Sequence, residues 1–348
     1  MLPYYFIFAV ATCFSLSPVK LHNDLKFFIW ILVFIFGTLF IGLRYEVGGD
    51  WPNYLNDLRF TSQQSFLEVL GSFASRDLGY QLLNYFSSSL GLGIYGVNIA
   101  CGAIVMACLL FFANQQPYPW IVIAISIPFF IIGINMGTVR QGLALSIILV
   151  GLTQIEKSSA RYIFFNFLAV LFHKTAIVMF LLLIFKVNLK NSLLTWIAIS
   201  ATLIILYLLG KPAFEIFYSS YILDNRYQSG GAIVRVLISL APFSIFLFFY
   251  QELKAEFPDT WVYFWMGIGC FGLLLLAPYL STAVDRLAYY TLPMQLVIWP
   301  RAIYVMRHEV MKTYTVILVL FTYLMILYVW LNFANHSWAW IPYQTIFG

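Results

Sequence analysis

The chain has 348 residues, of which 62% are hydrophobic and only 9% are charged. Because soluble domains carry roughly 25% charged residues, this composition excludes a water-soluble globular protein. The 19 basic and 14 acidic residues give a net charge of +5, which basic cytoplasmic loops explain without a nucleic-acid partner. We therefore predict a polytopic integral membrane protein of the all-α class.

Apolar runs along the chain are long enough to cross the ~30 Å hydrocarbon core of a bilayer. From these runs we predict ten transmembrane helices in a single membrane domain over residues 1–348. They cover residues 3–18, 26–43, 93–113, 120–134, 138–155, 193–210, 232–250, 261–280, 287–306 and 313–333.

Residues 161–190 form a further apolar segment that carries His173 and Lys174 in its middle. As one crossing, it would place Lys186, Lys190 and later basic residues outside, against the positive-inside rule. Two short helices that enter from the cytoplasm, turn at His173–Lys174 and return agree with that rule. We therefore predict a re-entrant helical hairpin.

With this hairpin, ten of the 19 basic residues, mostly lysines, lie on the cytoplasmic side, and both termini face outward. Of the nine basic residues on the outer side, seven are arginines. Arginine stays charged and donates two parallel hydrogen bonds, a geometry that suits phosphate. We therefore predict an outward-facing anion site. The nine residues are Arg44, Arg59, Arg76, Arg140, Lys174, Lys211, Arg226, Arg235 and Arg286.

The longest outer segment, residues 44–92, begins RYEVGGDWPNYLNDLRF. A tight turn at Gly48–Gly49 is expected to bring Arg44, Glu46 and Asp50 towards one another. An arginine beside two carboxylates on such a turn could bind a carbohydrate phosphate. An interfacial turn with a structural ion pair is an equally open interpretation.

Aromatic and amphipathic features follow in the same segment. Trp51 and Tyr54 supply flat faces on which sugars stack, or they anchor the turn at the membrane interface. Further on, apolar residues at helical spacing predict external amphipathic helices on the outer leaflet. We interpret Arg76–Asp77, which interrupts them, as a surface ion pair rather than a catalytic pair.

Two further positions place charge at the outer ends of apolar helices. Arg140 and Gln141 begin the fifth predicted span, where they could bind phosphate or sugar, or snorkel to the interface. At the hairpin tip, His173 can exchange a proton near neutral pH beside the fixed charge of Lys174. The alternative is that His173 only caps the turn.

Residues 211–231 contain Arg226 and Tyr227 and precede Arg235, and they could form a mobile lid or an ordinary connector. At the mouth of the ninth predicted span lies Asp285–Arg286. This adjacent pair could be structural, or Arg286 could complete a ring of cations.

The ordered set of motifs resembles the EpsG family of Wzy-type polysaccharide polymerases. The motifs are RYEVGGDWPNY, RDLGYQLLNY, VRQGLALSIIL, FHKTA and DRLAYY, spread over nearly the whole chain. The resemblance implies a glycosyltransferase of the bacterial inner membrane. It would join undecaprenyl-diphosphate-linked oligosaccharide units into O-antigen, capsule or exopolysaccharide at the periplasmic face, and release undecaprenyl diphosphate.

This reaction assigns expected roles to the outer residues. Asp50 and His173 are the candidate bases. Diphosphate is expected to contact Arg140 and Arg286 first, then Arg44, Arg226, Arg235 and Lys174. The predicted sugar contacts are Glu46, Trp51, Tyr54, Gln141 and Tyr227.

We expect neither a metal nor another cofactor. The expected partners are the lipid-linked oligosaccharide, as donor and acceptor, and membrane lipid, with a chain-length regulator left open and no nucleic acid. Two alternatives share the outward arginines: a transporter or flippase for a lipid-linked glycan, and an O-antigen ligase.

Overall fold

The computed structural model describes residues 1–17, 22–186, 200 and 230–348. Within these ranges the chain is helical, with connecting turns and no strand. The predicted all-α class is therefore confirmed for this part of the chain. The predicted span 193–210, apart from residue 200, and the loop 211–231, apart from its last two residues, lie outside the described residues, as do Lys211, Arg226 and Tyr227.

Seventeen α-helices follow one another in the described ranges. The first eleven are α1 Leu2–Leu16, α2 Asn23–Gly42, α3 Trp51–Ser62, α4 Phe66–Gly71, α5 Leu78–Ser89, α6 Gly93–Ala113, α7 Pro119–Ser126, α8 Asn135–Gly137, α9 Val139–Leu152, α10 Ser159–Phe172 and α11 Leu181–Lys186. The remaining six are α12 Ala232–Phe248, α13 Tyr250–Glu256, α14 Thr260–Leu276, α15 Ser281–Ala288, α16 Leu292–Val305 and α17 Glu309–Phe333.

Among the described residues, four helical segments are long and apolar enough to span a membrane. They are Asp24–Gly42, Gly93–Ala113, Pro119–Gly137 and Glu309–Phe333. α12 and α13 meet at 81° and count as a fifth if they form one broken span. Four apolar helices are shorter: α1, α9, α10 and α14. The chain is thus a membrane-embedded protein, and ten crossings stay a prediction.

Glycine allows α2 and α6 to pack closely. A Cβ atom on Gly102 would lie 2.8 Å from the Thr38 carbonyl oxygen, and one on Gly42 would lie 2.8 Å from the Ile99 Cα. Small residues let helix backbones approach in this way inside membranes, where van der Waals packing drives association. Residues 44–92 begin just after this contact.

The chain turns at His173, between α10 and a 3₁₀ helix over Lys174–Phe180. α11 ends near the residues that follow α9, since the Lys186 ammonium donates to the Ile155 carbonyl. The turn lies where the sequence placed it. That the hairpin is re-entrant stays a prediction.

On the predicted cytoplasmic side, a buried ion pair joins α16 to the start of α14. The Arg301 guanidinium donates to both Asp259 carboxylate oxygens, at 2.6 and 2.9 Å, and to Gln116 Oε1 at 3.0 Å. Both side chains are largely buried.

Asp259→Ala is expected to lower the free energy of unfolding by about 3–5 kcal/mol, because it leaves a buried guanidinium without its counter-charge. Reversible unfolding in mixed micelles measures the change. The control is Glu309→Ala, which breaks a solvent-exposed pair with Lys312 at 2.7 Å and should change the stability little. Equal losses in the two variants would contradict the structural role of the Arg301 pair.

Candidate functional site

Charged side chains meet where α5 begins, α9 begins and α10 ends. Arg140 Nη1 lies 3.3 Å from Asp77 Oδ2, and His173 Nδ1 lies 3.4 Å from the same oxygen. Only 9% of the Asp77 side chain is exposed. A buried carboxylate thus joins an arginine to a histidine.

A second carboxylate, that of Asp57, also contacts Arg140. Asp57, on α3, pairs with Arg76 at 3.0 Å and with Arg140 at 3.8 Å. We call Asp57, Arg76, Asp77, Arg140 and His173 the charged centre. The predicted surface ion pair Arg76–Asp77 is wrong, since these adjacent side chains have different partners.

The charge state of Asp77 follows from its neighbours. Burial raises the pKa of its carboxyl, but the hydrogen bond and charge of His173 and the charges of Arg140 and Lys174 lower it. The net effect holds the pKa below its ordinary value. An ionised Asp77 accepts a hydrogen bond from His173 Nδ1–H, and in that tautomer the lone pair is on Nε2.

Arg44, in contrast, is fully buried. Its guanidinium donates to the carbonyls of Val47, at 3.2 Å, and Ile41, and to Asn98 Oδ1 at 3.3 Å. Its partners lie in α2, in the loop that Arg44 begins and in α6, so Arg44 holds that loop against the two helices.

The expected cluster of Arg44, Glu46 and Asp50 is not formed. Glu46 is exposed, whereas Arg44 is enclosed. Asp50 immediately precedes α3 and accepts a hydrogen bond from Asn53 Nδ2 at 3.4 Å. The carboxylate that contacts His173 is Asp77.

The turn before α3 is fixed by close packing. Gly48 has φ +110°, and a Cβ atom there would lie 1.9 Å from the Met136 carbonyl oxygen. The Gly48 amide also donates to the Ala339 carbonyl at 2.8 Å, and Trp340 Nε1 donates to the Ile132 carbonyl at 3.0 Å. The C-terminal segment therefore holds the turn against the region that precedes α9.

Trp51 and Tyr54 pack inside the protein. Trp51 is 6% exposed and Tyr54 is 3% exposed, and the Arg140 guanidinium lies 5.8 Å from the Tyr54 ring centroid. Burial, followed by the Asp50 charge, raises the pKa of the Tyr54 hydroxyl. Because neither ring has an open face in this structure, we do not include them in the proposed sugar site.

Gln141 and Arg286 connect α9 to α15. The buried Gln141 side chain donates from Nε2 to the Arg286 carbonyl at 2.6 Å, so it joins two helices rather than lining an open site. Thr175 and Tyr290 share a hydrogen bond of 3.0 Å, which holds the 3₁₀ helix beside the same region. α15 therefore lies next to the charged centre. The half-buried Arg286 guanidinium forms no ion pair with any carboxylate in the described ranges.

Arg235, on α12, forms an ion pair with Asp285 and lies 5.1 Å from the Tyr289 ring centroid. The partner of Asp285 is thus Arg235 rather than the adjacent Arg286. No group of three or more metal-ligating side chains occurs among the residues that the structure describes.

Three members of the charged centre, Asp57, Arg76 and Asp77, were missing from the predicted site. Arg76 and Asp77 lie within RDLGYQLLNY, a motif that carried the family resemblance, whereas Asp57 follows RYEVGGDWPNY. Membership in a motif is the signal that could have identified Arg76 and Asp77, and no comparable signal marks Asp57.

The fold and the charged centre define a helical membrane protein with a partly buried network of carboxylates, guanidinium groups and a histidine. Residues 27–345 match the EpsG family, so the chain belongs to that family, as its motifs predicted. Membership implies a polysaccharide-polymerase or glycosyltransferase role in the broad sense. No curated protein and no solved structure matches the chain significantly.

Proposed function

We propose that the chain joins undecaprenyl-diphosphate-linked oligosaccharide units at the periplasmic face of the bacterial inner membrane. The observation that carries this proposal is the contact of Asp77 with both His173 and Arg140. It places a proton acceptor and a phosphate-binding side chain on one carboxylate. Glycosyl transfer from a lipid diphosphate uses both.

His173 acts as the general base in this proposal. Its Nε2 takes the proton from a hydroxyl of the acceptor unit while that oxygen forms a bond to the anomeric carbon of the donor. The bond from that carbon to the diphosphate oxygen breaks, and its electron pair leaves with the diphosphate. Asp77 orients the imidazole and stabilises the imidazolium that forms.

Arg140 and Arg286 stabilise the departing diphosphate. Negative charge grows on this group in the transition state, so fixed guanidinium groups lower the barrier more than they tighten ground-state binding. In the charged centre, Asp57 and Asp77 balance the charges of Arg76 and Arg140. Arg286 then supplies positive charge without a carboxylate partner among the described residues.

The remaining predicted contacts are assigned more narrowly. Glu46 and Asp50 lie on the turn before α3 and are proposed to contact the acceptor sugar. Lys174, next to His173, adds to the positive field that the diphosphate meets. Arg226 stays a predicted contact of the diphosphate, and Tyr227 stays a predicted contact of the sugar. Membrane lipid stays a predicted partner of the protein, and a chain-length regulator stays an open one.

Complementation of a deletion strain tests the proposal. Wild type is expected to restore a ladder of surface polysaccharide on a gel, and Arg140→Ala is expected to give a single-unit band, because the donor loses a diphosphate contact. Arg59→Ala is the matched control, since Arg59 is exposed on α3 and contacts Asn56. Complete absence of surface glycan with Arg140→Ala would favour transport over polymerisation.

A further inference from the structure

The Trp340 side chain lies between two segments that lead into the charged centre. The residue is buried, and its Nε1 donates to the Ile132 carbonyl at 3.0 Å. Ile132 belongs to a π-helix over Ile127–Ile134, which directly precedes α8. The indole N–H therefore has its acceptor in the segment that leads to Arg140. No step of the proposed reaction uses Trp340.

Two glycines face the indole ring. A Cβ atom on Gly137 would lie 2.7 Å from Trp340 Cζ2, and one on Gly49 would lie 3.9 Å from Trp340 Cη2. The first distance is well below the ~3.5–4.0 Å of a normal carbon–carbon contact, so the ring packs on the backbone at Gly137. The ring thus contacts both the end of α8 and the turn before α3.

Other contacts hold the backbone beside the ring. The Tyr4 hydroxyl donates to the Trp340 carbonyl at 2.8 Å, and the Gly48 amide donates to the Ala339 carbonyl at 2.8 Å. These bonds tie residues 339 and 340 to α1 and to the turn before α3. Because they involve main-chain atoms of this segment, a smaller ring at position 340 leaves both bonds available.

The position of the ring bears on Arg140. Gly137 is followed by Thr138, where the chain leaves helical geometry at φ −113° and ψ 64° before α9 begins. Arg140 therefore lies three residues after the point that the ring contacts. Its guanidinium reaches Asp77 at 3.3 Å and Asp57, on α3, at 3.8 Å. Since the ring contacts the chain ahead of both α9 and α3, it sets the separation of Arg140 from Asp57.

We propose that Trp340 is a positioning residue that fixes where the Arg140 guanidinium meets the departing diphosphate. This inference rests on the proposed function, in which Arg140 stabilises that group. A misplacement of about 1 Å costs up to about 10²-fold in rate. Because the charge on the diphosphate grows in the transition state, the loss falls on kcat more than on KM.

Trp340→Phe tests this role, because a phenyl ring has no N–H donor and is too short to reach Gly137. The variant is expected to lower kcat for two-unit product by about 10- to 100-fold, with little change in KM. Trp338→Phe is the matched control, the same substitution at a side chain that is 72% exposed, and it should keep the wild-type kcat. If Trp340→Phe lowered only the yield or the unfolding midpoint, and its folded fraction kept the wild-type kcat, the inference would be overturned.

Gly137→Ala tests the same contact from the other side. Its Cβ would be forced against the Trp340 ring, so this variant should also lower kcat. The three heavy atoms nearest to that Cβ all belong to Trp340, so the double variant Gly137→Ala/Trp340→Phe should lose less than the product of the two single losses. Losses that simply multiply would contradict the proposed contact.

Hydrogen–deuterium exchange of the full chain in detergent separates this inference from the proposed function. Amides of residues 132–141 should exchange faster in Trp340→Phe than in wild type, and at the wild-type rate in Trp338→Phe. A wild-type chain that makes no two-unit product would disprove polymerisation, and the exchange difference would still support Trp340 as the residue that holds the Arg140 segment. Equal exchange in Trp340→Phe and wild type would overturn the inference whether or not the chain polymerises.

Discussion

His173→Gln is expected to lower the rate of polymerisation by about 10²–10⁴-fold, the usual contribution of a general base. Glutamine can still donate a hydrogen bond to Asp77, but it cannot accept a proton from the attacking hydroxyl near neutral pH. The rate would be measured with the purified chain and lipid-linked repeat units, as the appearance of two-unit product. Substrate affinity should change little, because the variant keeps the positive groups that bind diphosphate.

His308→Gln is the control for this variant, because His308 is exposed at the start of α17 and lies outside the charged centre. It should keep the wild-type rate. If His173→Gln polymerised as fast as wild type, Asp50 would become the leading candidate for the base. The contact of His173 with Asp77 would then be structural.

Arg286→Ala is expected to lower the same rate by about 10²–10³-fold, as removal of a group that stabilises developing negative charge does. The loss should be mainly in kcat, since charge on the diphosphate grows as it leaves. Stability should change little, because Arg286 pairs with no carboxylate among the described residues. Single-turnover kinetics and a thermal unfolding midpoint measure the two effects separately.

Arg307→Ala is the control for Arg286→Ala, because Arg307 is exposed after α16 and its substitution removes the same charge. An unchanged rate in Arg286→Ala would exclude Arg286 from the leaving-group site. A large fall in the unfolding midpoint would instead assign it a structural role. Arg286→Lys should recover only part of the rate, because an ammonium group cannot make the paired contact that a guanidinium makes.

His173 and Arg286 are expected to act on different groups, the attacking hydroxyl and the departing diphosphate, and they are held in place by different contacts. His173 contacts Asp77 directly, whereas the backbone of Arg286 is held to α9 by Gln141. Gln141 was predicted to contact sugar, and the structure instead places it between the helices that carry Arg140 and Arg286. It is suited to setting the spacing of the two guanidinium groups.

The sequence by itself determined that the protein is helical and membrane-embedded, to which family it belongs, and that the chain breaks at His173 after α10. These properties follow from composition, from the length of apolar runs and from motifs, all of which are local along the chain. The predicted importance of Arg140 and His173 has the same origin, because charge at the end of an apolar helix is costly unless it has a partner.

Only the tertiary structure decided which partners these charges have. Asp77 meets Arg140 across 63 residues of sequence and His173 across 96, distances at which no local pattern identifies a contact. The same packing encloses Arg44 and pairs Asp285 with Arg235 rather than with its neighbour Arg286. Charged side chains pair where helix ends meet. The packing of the helices decides which ends meet, whereas adjacency in the chain does not.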